Sequence, residues 1–239
     1  MGRVQTFFLD RNSNPPQLTQ NEAISLFDPQ TIPLSIAWSP TGSDCVACTL
    51  SDTSVAIFRP SLQCNAVAYT YTSHSDQVWA CGFSPDGRIL YSGGDDSVLN
   101  AQDLVTRQTV WRDKKTHGAG VTAIMPRSND NMLLTGSYDD ILRIFDLRTR
   151  DVVGQINLGG GVWRLGKRGN NNRSLIASCM YVGSRVVDLG EGFRSPYVIA
   201  KFEEHESMNY GCDIHPDEPD TVVSCSFYDK RVCIWDIKS

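Results

Sequence analysis

One sequence pattern recurs along the chain at a nearly constant spacing, and it restricts the possible fold more than any other feature. Each copy joins a pair of small residues, a turn and a short run of alternating apolar residues. The turn aspartates Asp52, Asp96 and Asp139 lie 44 and 43 residues apart, and the next, Asp229, follows after 90 residues. Because 90 residues are about two periods, we expect a degenerate copy in between. The four clear copies are TLSDTSVAIFRP (49–60), YSGGDDSVLNAQDL (91–104), LTGSYDDILRIFDLR (134–148) and SCSFYDKRVCIWDI (224–237).

A period of about 40–45 residues with four short strands is typical of a WD40 propeller blade. The turns contain Pro, Gly and Asp, which stabilise them through a fixed φ, a positive φ and side-chain bonds to the backbone. The degenerate copy lies in residues 161–190, which keep the strand pattern but lack the turn Asp. The sequence therefore predicts an all-β WD40 β-propeller, one domain over residues 1–239. Its five recognisable repeats are 33–72, 74–113, 117–158, 160–204 and 205–239.

Residues 1–27 hold two strands of an incomplete blade. Residues 2–9 resemble a third strand and residues 18–27 a fourth, without a first or second strand before them. A propeller closes to remove its free sheet edges. We therefore expect the chain to be an N-terminally truncated form of a seven-bladed parent, lacking roughly one and a half blades. The alternative is an unusual closure in which residues 18–27 complete the last blade.

Three histidines precede the first strand of a repeat, where WD40 blades use histidine in a hydrogen-bonded chain. That chain joins the turn Asp, the His, a Ser or Thr on the second strand and a Trp on the third, and it satisfies buried polar groups. We therefore interpret these histidines first as structural. The members present are His74, Ser92 and Asp96; His117, Thr135 and Asp139; and His205, Asp229 and Trp235.

Composition and charge argue against several classes of function. A net charge of -5 and a pI of about 5.3 provide no basic face for phosphates, so we expect no nucleic-acid partner. No apolar stretch approaches about 18 residues, so we expect no membrane association. Most of the eight cysteines lie in strand-like runs, and Cys45 and Cys48 lack a second pair that would complete a zinc site. We expect no metal, no cofactor and a cytoplasmic location.

No motif for nucleophilic, phosphate-binding or metalloprotease chemistry is present, so a binding scaffold is the default function. One end of the predicted channel is nevertheless rich in aromatic residues. With a carboxylate beside them, such residues suit a cationic group, above all a quaternary ammonium. The competing interpretation is that the tryptophans pack between blades. The first strands place Trp79, Trp163, Arg164 and Tyr210 at this end, and the turns place Asp95, Tyr138 and Tyr228 there.

Five stretches also occur in a characteristic order: HSDQVWACGFSPDGRILYSGGDD, LLTGSYDDILRIFDLR, GGVWRLGKR, LIASCMYVG and SCSFYDKRVCIWD. Together they closely resemble the diphthine methyl ester hydrolase family, the WD40 proteins of diphthamide biosynthesis. The likeness covers about residues 3–237 and is strongest from 74 to 237. Its most specific part is GGVWR followed by ASCM and then SCSFYD.

The resemblance implies an activity and a partner. The family removes the methyl ester from methylated diphthine, a modified histidine on translation elongation factor 2, and so frees the carboxylate that is later amidated to diphthamide. The substrate carries a trimethylammonium group beside the ester, in agreement with the aromatic residues predicted above. The alternative is a non-catalytic WD40 adaptor that binds its partners in fixed stoichiometry.

The residues for such an activity are hypotheses, because no motif assigns them. Ester hydrolysis needs a nucleophile or an activated water, a base, and donors for the oxyanion. The candidate base is His117 or Asp95, and Cys179 and Cys225 are candidate nucleophiles. Arg164 would bind the polar end of the substrate or the oxyanion. The residues expected to enclose the trimethylammonium group are Trp79, Tyr138, Tyr210 and Tyr228. Trp163 is also expected to bind the substrate.

Overall fold

The computed structural model describes residues 3–4, 7–10, 12–20, 24–25, 27–42, 45–59, 67–128, 130–169 and 173–237. In the predicted incomplete blade, residues 1–2, 5–6, 11, 21–23 and 26 lie outside the described residues. So do residues 43–44, 60–66, 129, 170–172 and 238–239 of the predicted repeats.

Two short antiparallel ladders come first in the chain. β1 (Arg3–Val4) pairs with β4 (Ile24–Ser25), and β2 (Phe7–Asp10) pairs with β3 (Gln17–Gln20). None of these strands belongs to the last sheet of the chain. The alternative closure, in which residues 18–27 complete the last blade, is therefore wrong for the strands that the structure describes.

Five antiparallel sheets follow, and in each the strands are ordered as in the sequence. The all-β prediction is confirmed: the helical structure of the described residues is one 3-10 turn, Glu191–Phe193. Blade 1 contains β5 (Pro33–Trp38), β6 (Val46–Leu50), β7 (Ser54–Phe58) and β8 (Val67–Thr72). Blade 2 contains β9 (Val78–Phe83), β10 (Ile89–Gly94), β11 (Leu99–Asp103) and β12 (Gln108–Asp113). Blade 3 contains β13 (Val121–Pro126), β14 (Met132–Ser137), β15 (Ile141–Asp146) and β16 (Asp151–Asn157). Blade 4 contains β17 (Val162–Lys167), β18 (Ser174–Cys179), β19 (Gly183–Asp188) and β20 (Tyr197–Phe202). Blade 5 contains β21 (Asn209–Ile214), β22 (Thr221–Ser226) and β23 (Val232–Asp236).

The first strands of neighbouring blades lie side by side, in the order β5, β9, β13, β17 and β21. Apolar side chains fill the space between successive blades. Between blades 3 and 4, for example, Leu134 and Ile144 pack with Leu175, and all three are fully buried. The innermost strands therefore lie next to one another, and the side chains of their first residues lie at the same end of the array.

The pair of small residues in each copy has a packing reason. A Cβ on Gly93 would lie 2.5 Å from Cγ1 of Val121, and one on Gly136 would lie 2.5 Å from Cγ1 of Val162. Both valines are fully buried first residues of the next blade's inner strand. Glycine is therefore required at these two positions, where the second strands of blades 2 and 3 approach the next blade.

The recurring aspartate closes the turn between the second and third strands. Asp52, Asp96 and Asp139 each accept a hydrogen bond from the backbone N–H two residues ahead, at 3.2, 3.2 and 3.1 Å. The residue in between has a positive φ of 60° to 74° in these three turns. In the degenerate copy the positive φ of 81° falls on Gly183, which adopts it without a supporting side chain.

One face of blade 5 is apolar and exposed, whereas the equivalent face of blade 3 is buried. On β23, Val232 and Ile234 are 71% and 76% exposed. The residues at the same distance from the turn aspartate in blade 3, Leu142 and Ile144, are fully buried, because blade 4 packs on them. The face of blade 5 thus has the apolar composition of a face between two blades.

Candidate functional site

Four of the predicted aromatic residues meet at one end of the inner strands. The ring centroid of Trp163 lies 5.4 Å from that of Trp79, 5.5 Å from that of Tyr138 and 5.2 Å from that of Tyr210. The contacts are tilted or edge-on, geometries that stabilise aromatic pairs by about 0.5–1.5 kcal/mol each. All four side chains are partly exposed. Trp163 is therefore the centre of an aromatic cluster that draws on blades 2 to 5.

The cluster extends over blade 5 through Phe227, which the sequence did not single out, to the predicted Tyr228. The ring centroid of Phe227 lies 6.0 Å from that of Tyr210 and 5.1 Å from that of Tyr228. Burial raises the pKa of Tyr138 and of Tyr210, and the nearby Tyr181 phenol raises both further. We define the ring cluster as Trp79, Tyr138, Trp163, Tyr181, Tyr210, Phe227 and Tyr228.

A β-bulge that recurs in the blades directs three of these rings. In blade 4 the register shifts between Val162 and Arg164, so Trp163 has no partner in the ladder. The same irregularity leaves Tyr210 unpaired in blade 5 and Trp79 unpaired in blade 2. A bulged residue departs from the alternation of the strand, so its side chain is aimed differently from those of its neighbours. The bulge therefore explains why three aromatic rings from different blades meet.

Asp95 lies beside Tyr138 of the ring cluster. A Cβ on Gly120 would lie 2.7 Å from Asp95 Oδ1 and 3.5 Å from Tyr138 Cδ2, so the two side chains flank the same glycine. The backbone N–H of Asp95 donates to the carbonyl of Gln77 at 2.9 Å, which holds the turn. Among the described residues, no hydrogen-bond donor or cation pairs with its carboxylate. That carboxylate is exposed and is available to a ligand.

Arg164 lies on β17 opposite Ser178 and has an exposed side chain. Within the part of the chain that the structure describes, its guanidinium has no carboxylate or hydrogen-bond partner. Two thiols lie near it, Cys81 and Cys212. Burial raises the pKa of both to about 12, although the positive charge of Arg164 acts in the opposite direction. Arg164 is therefore an unpaired cation beside neutral thiols.

The structure argues against Cys179 as the nucleophile. Burial raises the pKa of its thiol to about 12, and the side chain is fully buried. A catalytic cysteine must reach both the thiolate form and the substrate. Cys225 lies close to the backbone of the neighbouring strand, since a Cβ on Gly211 would be 2.8 Å from its Sγ.

The structure places His117 inside blade 3 and not in the ring cluster. Its Nε2 lies 2.9 Å from Thr135 Oγ1, and its ring centroid lies 5.9 Å from that of Phe145. Only 5% of the residue is exposed. Phe145 stands where blade 5 has Trp235 and is itself fully buried. Of the two candidate bases, only Asp95 therefore lies beside the aromatic rings.

The predicted hydrogen-bonded chain is present in part at His74 and His205. His74 Nδ1 lies 2.9 Å from Asp96 Oδ1, and its Nε2 lies 2.9 Å from Ser92 Oγ. In blade 5, His205 Nε2 lies 2.8 Å from Ser224 Oγ. These contacts join the loop before the first strand to the second strand, and in blade 2 also to the turn Asp. The histidines therefore stabilise the blades.

Acid should destabilise the protein through His117. Burial, aided by the charge of Arg143, lowers the pKa of His117 from 6.5 to about 4. The unfolded chain binds this proton more readily, so the stabilisation is fully present above about pH 6.5 and is lost as the pH falls toward about 4. We expect the free energy of unfolding to drop by about 2–3 kcal/mol across this window. Urea unfolding at about pH 7.5 and about pH 4.5 measures the drop.

The matched variant for this prediction is His117→Gln, which removes the titrating group and keeps a donor for Thr135. Its free energy of unfolding should depend less on pH, by most of the predicted drop. Burial also lowers the pKa of His205, so His205→Gln measures that contribution separately. A His117→Gln variant that retains the full pH dependence would contradict the assignment.

Among the described residues, no group of three or more His, Cys, Asp or Glu side chains could hold a metal ion. No helix in that part of the chain is long and apolar enough to cross a membrane. Two concavities of about 400 and 470 Å³ lie between blades 2 and 3, and their linings include no residue of the ring cluster.

The chain is similar to known proteins in sequence and in fold. The family model "WD domain, G-beta repeat" matches residues 65–100, 109–146 and 197–236. A Schizosaccharomyces pombe protein named diphthine methyltransferase is 34% identical over 89% of this chain and 66% of its own length. A Dictyostelium discoideum protein named diphthine methyltransferase homolog is 26% identical over 98% of this chain and 70% of its own length. The chain thus spans about two thirds of the length of these relatives.

Among solved structures, a chain from the crystal structure of a mitotic checkpoint complex superposes with a TM-score of 0.81. It covers all of this chain and 71% of its own length at 16% identity, which shows the propeller fold alone. The sequence relatives indicate the family more specifically than the solved structure does, because the match to the Schizosaccharomyces pombe protein covers 89% of this chain. The chain contains WD40 repeats, and over most of its length it is similar to the proteins named diphthine methyltransferase and diphthine methyltransferase homolog.

Proposed function

We propose that this protein hydrolyses the methyl ester of methylated diphthine on translation elongation factor 2, and that the ring cluster binds the trimethylammonium group of that substrate. The relatives' name points to a change in the methyl group of diphthine. The observation that carries the proposal is the contact of Trp163 with Trp79, Tyr138 and Tyr210 at 5.2 to 5.5 Å.

Quaternary ammonium groups suit such a surface for two reasons. Their methyl groups bury apolar area against the rings, and their charge is attracted to the ring faces by about 0.5–2 kcal/mol for each interaction. They cannot donate a hydrogen bond, so a surface without strong acceptors does not penalise them. The free carboxylate of Asp95 beside Tyr138 adds attraction for the positive charge.

The same end of the channel offers groups for the ester. Trp79 Nε1 is a buried donor without an acceptor among the described residues. Arg164, on the inner strand of blade 4, is a cation with no partner among the residues that the structure describes. An oxyanion formed from the ester carbonyl is stabilised by such donors in a partly desolvated site. We assign Arg164 and the Trp79 N–H to this role.

The base in this proposal is Asp95. A water molecule attacks the ester carbonyl carbon while the Asp95 carboxylate takes its proton, which gives a tetrahedral oxyanion. Collapse of the oxyanion breaks the bond to methoxide, which takes the proton from Asp95 and leaves as methanol. The acid product keeps its trimethylammonium group. No covalent intermediate is required, in keeping with the neutral, buried Cys179.

Binding of small ligands tests the ammonium site directly. Glycine betaine methyl ester carries a trimethylammonium group beside a methyl ester, and its tert-butyl analogue has the same shape without the charge. Calorimetric titration should show at least about tenfold tighter binding of the charged ligand. Equal affinities, or no binding of the charged ligand, would count against the ring cluster as an ammonium site.

A further inference from the structure

Two contiguous concavities run along the outer edge of the array between blades 2 and 3. One has a volume of about 400 Å³ and the other about 470 Å³. Trp111 and Arg150 line both of them, so the two form a single groove. We call it the edge groove and define it by Trp111, Arg112, Asp113, Lys114, Lys115 and Arg150.

An aromatic side chain forms the floor of the edge groove. Trp111 lies on β12, and its ring centroid lies 5.5 Å from that of Phe145, which it meets edge-on. Phe145 is fully buried, so it fixes the Trp111 ring from below. Trp111 remains partly exposed, and its neighbour Val110 is 40% exposed. The floor is therefore rigid, apolar and open to a partner side chain.

The walls of the groove are basic, although the chain as a whole has a net charge of -5. The lining has five cations and three carboxylates: Asp103 pairs with Arg88 at 2.7 Å, Asp113 accepts hydrogen bonds within its own loop, and Asp151 is exposed. The remaining four cations of the lining have no ion pair among the described residues. They are Arg112, Lys114, Lys115 and Arg150.

The loop after β12 holds two of these cations beside the tryptophan. Asp113 Oδ1 accepts hydrogen bonds from the backbone N–H groups of Lys115 and Thr116, at 2.8 and 3.0 Å. Its Oδ2 accepts from Thr116 Oγ1 at 2.5 Å. A loop that is ordered before binding loses less entropy when a partner arrives. The charges of Lys114 and Lys115 are thus presented on a prepared surface.

We propose that the edge groove binds an acidic segment of a partner protein, whose carboxylates meet the four unpaired cations and whose apolar side chain packs on Trp111. The charge complementarity is local, since the rest of the surface repels an acidic chain. Because the groove includes no residue of the ring cluster, this interaction is independent of the proposed hydrolysis. A docking site of this kind would hold a protein substrate or an assembly partner while the ring cluster stays free.

Fluorescence anisotropy tests the proposal with a short labelled peptide that carries Glu on both sides of a single Phe. Its matched control replaces each Glu by Gln. At low salt we expect the acidic peptide to bind at least about tenfold more tightly than the Gln peptide, and high salt should remove most of the difference. Comparable binding of the two peptides would overturn the proposal.

Two double variants locate the interaction. Lys114→Glu/Lys115→Glu should weaken binding of the acidic peptide by at least about tenfold. Lys167→Glu/Lys201→Glu makes the same charge change at exposed positions of blade 4 and should bind within about twofold of the parent. Urea unfolding of both variants checks that each remains folded. Equal loss in the two variants would overturn the assignment to the groove, as would tighter binding of a single-stranded oligonucleotide than of the peptide.

Discussion

Replacing Asp95 by Asn is expected to slow hydrolysis of the methyl ester by about 1,000-fold, because the amide cannot take the proton of the attacking water. The change keeps the shape of the side chain beside Tyr138. It also removes one charge near the bound ammonium, which should weaken ligand affinity by no more than about fivefold. Turnover is followed by mass spectrometry of the substrate protein, and affinity by titration with glycine betaine methyl ester.

Two controls separate this role from others. Asp76→Asn alters an exposed carboxylate that accepts a hydrogen bond from the N–H of Gln77 at 2.7 Å, and it should leave the rate unchanged. His117→Gln should also keep the rate near neutral pH, since His117 is buried and uncharged there. A normal rate in Asp95→Asn together with a large loss in His117→Gln would move the base to His117.

Replacing Trp163 by Ala should have the largest effect on binding. The change removes the ring that contacts Trp79, Tyr138 and Tyr210. Three aromatic pairs at about 1 kcal/mol each correspond to a loss of about 3 kcal/mol in the free energy of unfolding. The loss of a partly desolvated cation–π contact should lower the affinity for the betaine methyl ester by about 30-fold.

Two further variants distinguish a loss of ligand affinity in Trp163→Ala from a loss of folding stability. Trp163→Phe keeps an aromatic face and should recover most of the affinity. Trp38→Ala removes a tryptophan that is 60% exposed and lies outside the ring cluster, so it should leave affinity unchanged. If Trp163→Ala is folded at low temperature and binds the charged ligand as tightly as the parent does, the ring cluster is not the ammonium site.

Local physical rules account for what the sequence predicted well. The spacing of Asp52, Asp96 and Asp139 predicted the blades, because each aspartate closes one turn through a bond to the backbone. The pairs of small residues mark the close approach of the next blade, as Gly93 and Gly136 show. The turn aspartates and the small residues each depend on neighbours in sequence or on one repeated contact. The residue pattern alone is therefore enough to predict them.

The site was predicted less completely, because it depends on contacts between blades. Trp79 and Trp163 meet although blade 3 lies between theirs in the chain, and no local rule measures that distance. Tyr181 and Phe227 were missed. Tyr181 lies in the turn of the degenerate copy, and Phe227 lies in the turn of the last copy, next to Tyr228. Aligning the turns of the repeats would have indicated both residues. His117 had two interpretations, and only its contacts with Thr135 and Phe145 place it in the blade interior.

The most direct test of the proposed hydrolysis is mass spectrometry of elongation factor 2 that carries methylated diphthine, incubated with this protein or with its Asp95→Asn variant. The parent protein should lower the mass of the modified peptide by one CH₂ unit, with release of methanol and many turnovers for each protein molecule. The variant should leave the mass unchanged over the same time. Stable binding of elongation factor 2 by the parent with no change in mass would rule out the hydrolysis and identify the protein as an adaptor.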